Sequence, residues 1–333
     1  SLLVGQSIDM SVENAGKTTS IATSSKPGLI AFGCDNGSII VRDGIEIREV
    51  GSHESSVNDL QFIDDRILVS ASEDRSVRVW DVGDSREITA GKACWHGTPV
   101  QRLAAVRNQF GLLIAAASSS DTTGRVDLWR VRLVNSAMPE RVGFFAGHRR
   151  PVSSIALRGD GKIAASGDVD GNVLLWSPSS MKNEDYGAAI DSALRILNQN
   201  DSLAGTTHRF GLADSVDFVR LVDEEIVDEE QLVSLKSATN NRQVNVGKAH
   251  RDVIQSIAFD TSGDTIVSTS NDYTLKTWSV DKRGLVKKMR GHGGWVTAAA
   301  FLGDGATQVV SVSNDQTLRT WIPSAYVGEA VEN

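Results

Sequence analysis

A serine, a histidine and an aspartate, residues able to support nucleophilic hydrolysis, recur together along this 333-residue chain. His53, Ser70 and Asp74 form one set. His148, Ser166 and Asp170 form a second, His250, Ser268 and Asp272 a third, and His292, Ser311 and Asp315 a fourth. An imidazole can take the serine proton while a carboxylate orients the ring, which is the chemistry of a catalytic triad. Each set, however, ends in a tryptophan (Trp80, Trp176, Trp278 or Trp321) whose indole N–H consumes the serine's acceptor capacity. A hydrolase needs one exposed nucleophile beside an oxyanion hole and a cleft, whereas four copies of one trio indicate structure. The expected role is a polar brace. Carboxylate, imidazole, hydroxyl and indole pair in series, and each group avoids the ~1–3 kcal/mol cost of being buried unpaired. Catalysis is not expected from these residues, and the chain reads as a non-enzyme.

Other chemistries find little support. The stretch "ENAGKTTS" (13–20) ends like a phosphate-binding loop, but Ser11 stands where the earlier glycine belongs, and no strand-to-helix junction is expected there. The acidic turns lack the ligand count of a calcium site. Cys34 and Cys94 have no metal-type partner at short spacing, so no metal and no cofactor are expected, and this cysteine usage suits a reducing, cytoplasmic setting. The formal net charge of −8, without a basic stripe, removes the broad attraction to phosphate backbones, so nucleic acid is not an expected partner. No apolar run reaches the ~18–20 residues of a membrane span, and no membrane association is expected.

The brace residues sit at fixed places in a repeating unit. "ASEDRSVRVWD" (71–81) is echoed by "GDVDGNVLLWS" (167–177), "TSNDYTLKTWS" (269–279) and "VSNDQTLRTWI" (312–322). Aligning on Trp80 gives equivalent positions at Arg42, Trp80, Trp129, Trp176, Val219, Trp278 and Trp321, which predicts seven units. Each unit reads as four short strands: a first strand after the histidine, two strands flanking a tight turn, and an outer strand before the next histidine. The third unit keeps His96 and Trp129 but lengthens its turn around Asp121. The fifth, around Val219, is degenerate and carries an acidic insertion, 222–241, read either as a solvated excursion or as a docking element for a basic partner. Four-stranded units bury both faces only against neighbours, so the array is expected to close into a ring. Residues 2–9 are expected to supply the outer strand of the last unit, making residues 1–333 one domain.

A histidine opening the first strand, a serine in the second, an aspartate in the turn and a tryptophan closing the third make the chain resemble the WD40 repeat family, which includes the G-protein β subunit. The resemblance spans essentially the whole chain. It implies an all-β fold, a seven-bladed β-propeller of four-stranded antiparallel blades. It also implies a non-catalytic protein–protein interaction scaffold that presents a rim to a protein or peptide partner, within a larger assembly or multidomain signalling protein. A propeller with a small-molecule or catalytic site in its central channel is the alternative. Carried over by position, the rim residues are Asn58, Glu73, Gln101, Ser153, Gln255, Asn271, Trp295, Thr297 and Asn314. Trp295 is singled out because aromatic residues dominate protein interfaces and five of the seven tryptophans fill the third-strand position, leaving only Trp95 and Trp295 outside it.

Overall fold

Alternating short β-branched runs separated by tight polar turns should form antiparallel sheets. In a computed structural model of the chain, the described residues are 16–89, 94–118, 124–133, 138–180, 207–208, 218–221, 248–303 and 308–323. They form six antiparallel sheets, and their only helical element is a 3₁₀ turn, Pro178–Ser180. The first sheet contains Thr18–Thr23, Leu29–Cys34, Ser38–Asp43 and Glu46–Ser52. The second contains Val57–Phe62, Ile67–Ser72 and Ser76–Asp81, whose free edge is covered by Arg86–Glu87 and Cys94–Trp95. Val100–Asn108, Gly111–Ser118, Gly124–Val131 and Glu140–His148 make the third.

The fourth sheet runs Val152–Leu157, Ala164–Asp168, Val173–Trp176, Phe218–Leu221 and Thr207–His208. The fifth contains Ile254–Phe259, Thr265–Ser270, Thr274–Ser279 and Gly284–Arg290. Val296–Leu302, Gln308–Ser313 and Leu318–Trp321 make the sixth. The first strand of each sheet packs against the first strand of the next, from the first sheet through to the sixth. Five apolar cores fill the five spaces between consecutive sheets, which is β-propeller packing.

The packing has a direction. Each tryptophan at the end of a third strand faces the preceding sheet: Trp80 joins the core with Leu29, Ala31 and Val41, and Trp278 joins the core with Val173, Leu175 and Leu221. The opposite face of each sheet offers smaller residues, such as Val69, Ala71, Val77 and Val79 of the second.

One expectation fails here. The stretch around Val219 is not the third strand of a separate unit, because Phe218–Leu221 pairs antiparallel with Val173–Trp176 as the fourth strand of the fourth sheet. The fourth sheet then packs directly on the fifth: Ser153 Oγ donates to the Ile254 carbonyl at 2.6 Å, and Gly167 lies where any Cβ would strike the Ile254 side chain. An alternating strand has the same sequence signature in third or fourth position, so periodicity alone could not place it. The expected closing strand 2–9 and the insertion 222–241 lie outside the described residues.

Candidate functional site

In the second, fifth and sixth sheets the four brace side chains are hydrogen-bonded in series. In the second sheet the Trp80 indole N–H donates to Ser70 Oγ at 2.7 Å, and His53 Nε2 lies 2.6 Å from the same hydroxyl. His53 Nδ1 is 2.8 Å from Asp74 Oδ2. An ionised carboxylate only accepts, so the proton belongs on Nδ1 and the serine hydroxyl donates to Nε2. The fifth and sixth sheets repeat the chain through His250, Ser268, Asp272 and Trp278, and through His292, Ser311, Asp315 and Trp321, with every link between 2.8 and 3.0 Å. Burial alone would raise the Asp74 and Asp272 carboxyls. The bonds from the neighbouring histidine, from Ser76 or Thr274 and from a backbone N–H outweigh it and hold both well below the usual carboxylate range. At Asp315 the Thr317 hydroxyl leads the same downward shift.

In the fourth sheet the carboxylate is not the expected one. His148 Nδ1 bonds Asp168 Oδ2 at 2.9 Å, while Asp170 points outward and sits 3.5 Å from Arg150. Asp168 occupies the place of Ser72, ends its strand, and also accepts the backbone N–H groups of Asp170 and Asn172. It therefore closes the turn and holds the histidine at once. In the third sheet His96 Nδ1 lies 3.1 Å from Asp127, and Asp121 is outside the described residues. The register pairs Ala116 with Asp127 as Ser70 pairs with Arg78, so an alanine stands at the brace-serine position. His96 Nε2 and Trp129 Nε1 are accordingly buried without a hydrogen-bond partner.

The brace hydroxyls lie inside the sheets. Ser70, Ser166 and Ser268 have no exposed surface and Ser311 has 1%. Cys34 and Cys94 are buried as well, and burial pushes the Cys94 thiol up, away from a nucleophilic thiolate. Among the described residues no three histidines, cysteines or carboxylates converge as a metal site, and no helix is long and apolar enough to cross a membrane.

The rim positions divide into two kinds. Glu73 accepts from Asn58 at 3.1 Å and from Gln101 at 2.7 Å, so these three form one bridge between the second and third sheets. Asn58 donates in addition to the Val100 carbonyl, and Gln255 to Asn271. Thr297 donates to the Val312 carbonyl of its own sheet at 3.3 Å. By contrast Trp295 leaves 47% of its surface exposed, held by its carbonyl, which accepts from the Asn314 N–H. Close to it in the chain is a depression of about 350 Å³ lined by Arg251, Asp272, Tyr273, Lys288, Arg290 and His292. Tyr273 is half-exposed there in a left-handed conformation, φ 67°. Sequence reasoning missed this depression, because its basic residues come from an outer strand and a loop that the repeat leaves unspecified.

Sequence comparison agrees with this architecture. The family profile described as "WD domain, G-beta repeat" matches residues 44–81, 139–177, 241–279 and 283–321. These four repeats of the chain belong to the WD40-repeat family. Among curated relatives it is similar to eukaryotic translation initiation factor 3 subunit I of Nematostella vectensis, at 27% identity over 45% of this chain and 48% of that protein. It is also similar to the target of rapamycin complex subunit LST8 of Saccharomyces cerevisiae (24%, over 65% of this chain and 77% of that one) and to WD repeat-containing protein 55 of Bos taurus (25%, over 76% and 68%). The matched region spans about half the length of the initiation factor subunit and 30% of a chromatin assembly factor subunit from Mus musculus.

Proposed function

We propose that the protein is a non-catalytic interaction scaffold whose rim holds a protein or peptide partner inside a larger intracellular, cytoplasmic assembly. The observation that carries this reading is Trp295. It stands half-exposed on a rim where Asn58, Glu73 and Gln101 are committed to one another. A rigid aromatic can bury a large area on binding at little entropic cost. The depression lined by Arg251, Lys288 and Arg290, close to Trp295 in the chain, offers polar contacts to an acidic or carbonyl-rich segment. Binding would be rigid display, since the braces tie three strands and a turn of each complete sheet. The net charge of −8 disfavours nucleic acid as the partner. Two of the relatives are named as subunits of a factor or a complex, which supports an assembly role.

The test is affinity capture from an extract of the native source with the wild type and with Trp295→Ala. Loss of at least ten-fold of the stably bound protein, at unchanged melting temperature, is the expected result. Unchanged capture would remove Trp295 from the interface.

A further inference from the structure

The repeat does not require the residues that line the depression at the fifth sheet. Arg251 comes from the loop before the first strand, Tyr273 from the tight turn, Lys288 and Arg290 from the outer strand, and His292 from the loop that follows. In the first sheet, strand pairing puts Glu49 and Ser52 where the fifth has Lys288 and Arg290, and Gly37 stands in the turn at the place of Tyr273. That sheet forms the same four strands with no cation in these places.

Tyr273 departs furthest from what the turn asks for. Its φ of 67° is left-handed, a region that glycine enters freely and a bulky side chain enters under strain. Gly37 and Gly171 hold the equivalent place in the first and fourth sheets, at φ 92° and 87°. Arg75 and Gln316 share the conformation in the second and sixth sheets, but only the fifth puts a ring there. The fifth sheet thus accepts strain in its turn and sets an aromatic ring with a hydroxyl, 49% exposed, at the depression. Strain of this kind collects at ligand clamps and other functional sites.

The lining carries three cations and one carboxylate, in a chain whose formal net charge is −8. The carboxylate is already committed, because Asp272 accepts from His250, from the Thr274 hydroxyl and from the backbone N–H groups of Arg251 and Thr274. Arg251 is tied there by its backbone, and its guanidinium has no hydrogen bond or ion pair among the described residues. Lys288 and Arg290, two apart on the outer strand, project to one side of the sheet. Lys288 also stands directly across from Lys276, whose ammonium donates to the Ala249 carbonyl. Positive charge is therefore concentrated at one place on an acidic protein.

We propose that the depression binds a phosphorylated serine or threonine side chain of the partner protein or peptide. This deepens the rim reading above and rests on it, since it names the group by which the partner is recognised. A phosphate carries about twice the charge of a carboxylate, and a guanidinium fork matches two of its oxygens at once. Arg251 and Arg290 supply two such forks, Lys288 a compact charge and Tyr273 a hydroxyl donor. The volume of about 350 Å³ lies at the small end of ligand pockets, enough for one side chain and its near neighbours. A nucleic-acid backbone spreads its phosphates along a line and is met by a basic stripe rather than by one depression.

The test is fluorescence anisotropy of the full chain with three labelled, degenerate nonapeptide pools. Their central residue is a mixture of phosphoserine and phosphothreonine, glutamate, or a mixture of serine and threonine. The phosphorylated pool should bind at least ten-fold more tightly than either of the others. Equal binding of the glutamate pool, no binding of the phosphorylated pool, or its displacement by an equal concentration of a thymidine oligonucleotide would overturn the proposal. Arg251→Ala, at unchanged melting temperature, and Arg290→Ala should each weaken binding at least ten-fold, whereas Arg86→Ala on the second sheet should leave it as it is. Tyr273→Gly separates recognition from folding: it should weaken binding while holding or raising the melting temperature, because it relieves the turn. Unchanged binding in Arg251→Ala or Tyr273→Gly would overturn the proposal. The rim reading fails separately. Capture lost on Trp295→Ala with no preference for the phosphorylated pool would keep that reading and remove this one. Preference for the phosphorylated pool with unchanged capture would keep this one and remove Trp295.

Discussion

The second and third sheets carry the same histidine and the same tryptophan, yet only the second links them. With Ser70 between them, His53 and Trp80 each have a partner within 2.7 Å; with Ala116 there instead, His96 and Trp129 have none on the facing nitrogens. Both pairs of rings still meet edge to face, with centroids 6.0 and 5.6 Å apart. The packing of the blade therefore survives loss of the hydroxyl, and what the hydroxyl adds is the pairing of two buried nitrogens. A group that can be dispensed with in one blade while its neighbours remain in place serves stability.

The sharpest way to break the contrast is to make the second sheet resemble the third. Ser70→Ala removes the acceptor of the Trp80 N–H and the donor to His53, leaving two buried polar groups unpaired. It should cost roughly 2–5 kcal/mol in chemical denaturation. A smaller effect separates the two aspartates of the fourth sheet. Asp168→Asn should cost about 1.5–3 kcal/mol through its charged bonds, while the outward Asp170→Asn should stay within about 0.5 kcal/mol. Conversely, Ala116→Ser should convert the third sheet toward the second and stabilise the protein by about 1 kcal/mol. A pH-dependent effect concerns the joint between these two sheets, where Asp59 accepts the Leu103 N–H. Burial pushes its carboxyl up from 3.8 to about 6. Between these values the folded state binds more protons than the unfolded one, so this contribution to stability is lost as pH rises from about 4 to about 6. In Asp59→Asn that slope should be missing from melting temperatures recorded across the interval.

The brace was legible because its residues recur at the same offsets, and four histidines, four serines and three of the four turn aspartates sit where the repeat puts them. Asp168 was hidden because "GDVDG" holds two carboxylates and the repeat favours the later one, although the earlier residue can close the turn and reach the ring. Ala116 was hidden by the long turn around Asp121, which blurred the register of the second strand. The place of Phe218–Leu221 depended on a pairing partner that lies 42 to 48 residues away, from Trp176 to Phe218 and from Val173 to Leu221, and no local pattern encodes that.

The claim that the repeated residues brace the fold is tested most directly by comparing Trp80→Phe with Trp129→Phe in denaturant unfolding. The two changes remove the same ring volume, but only the first breaks a hydrogen bond. Trp80→Phe should therefore be the more destabilising by at least about 1 kcal/mol. Equal losses at the two sites would contradict the account.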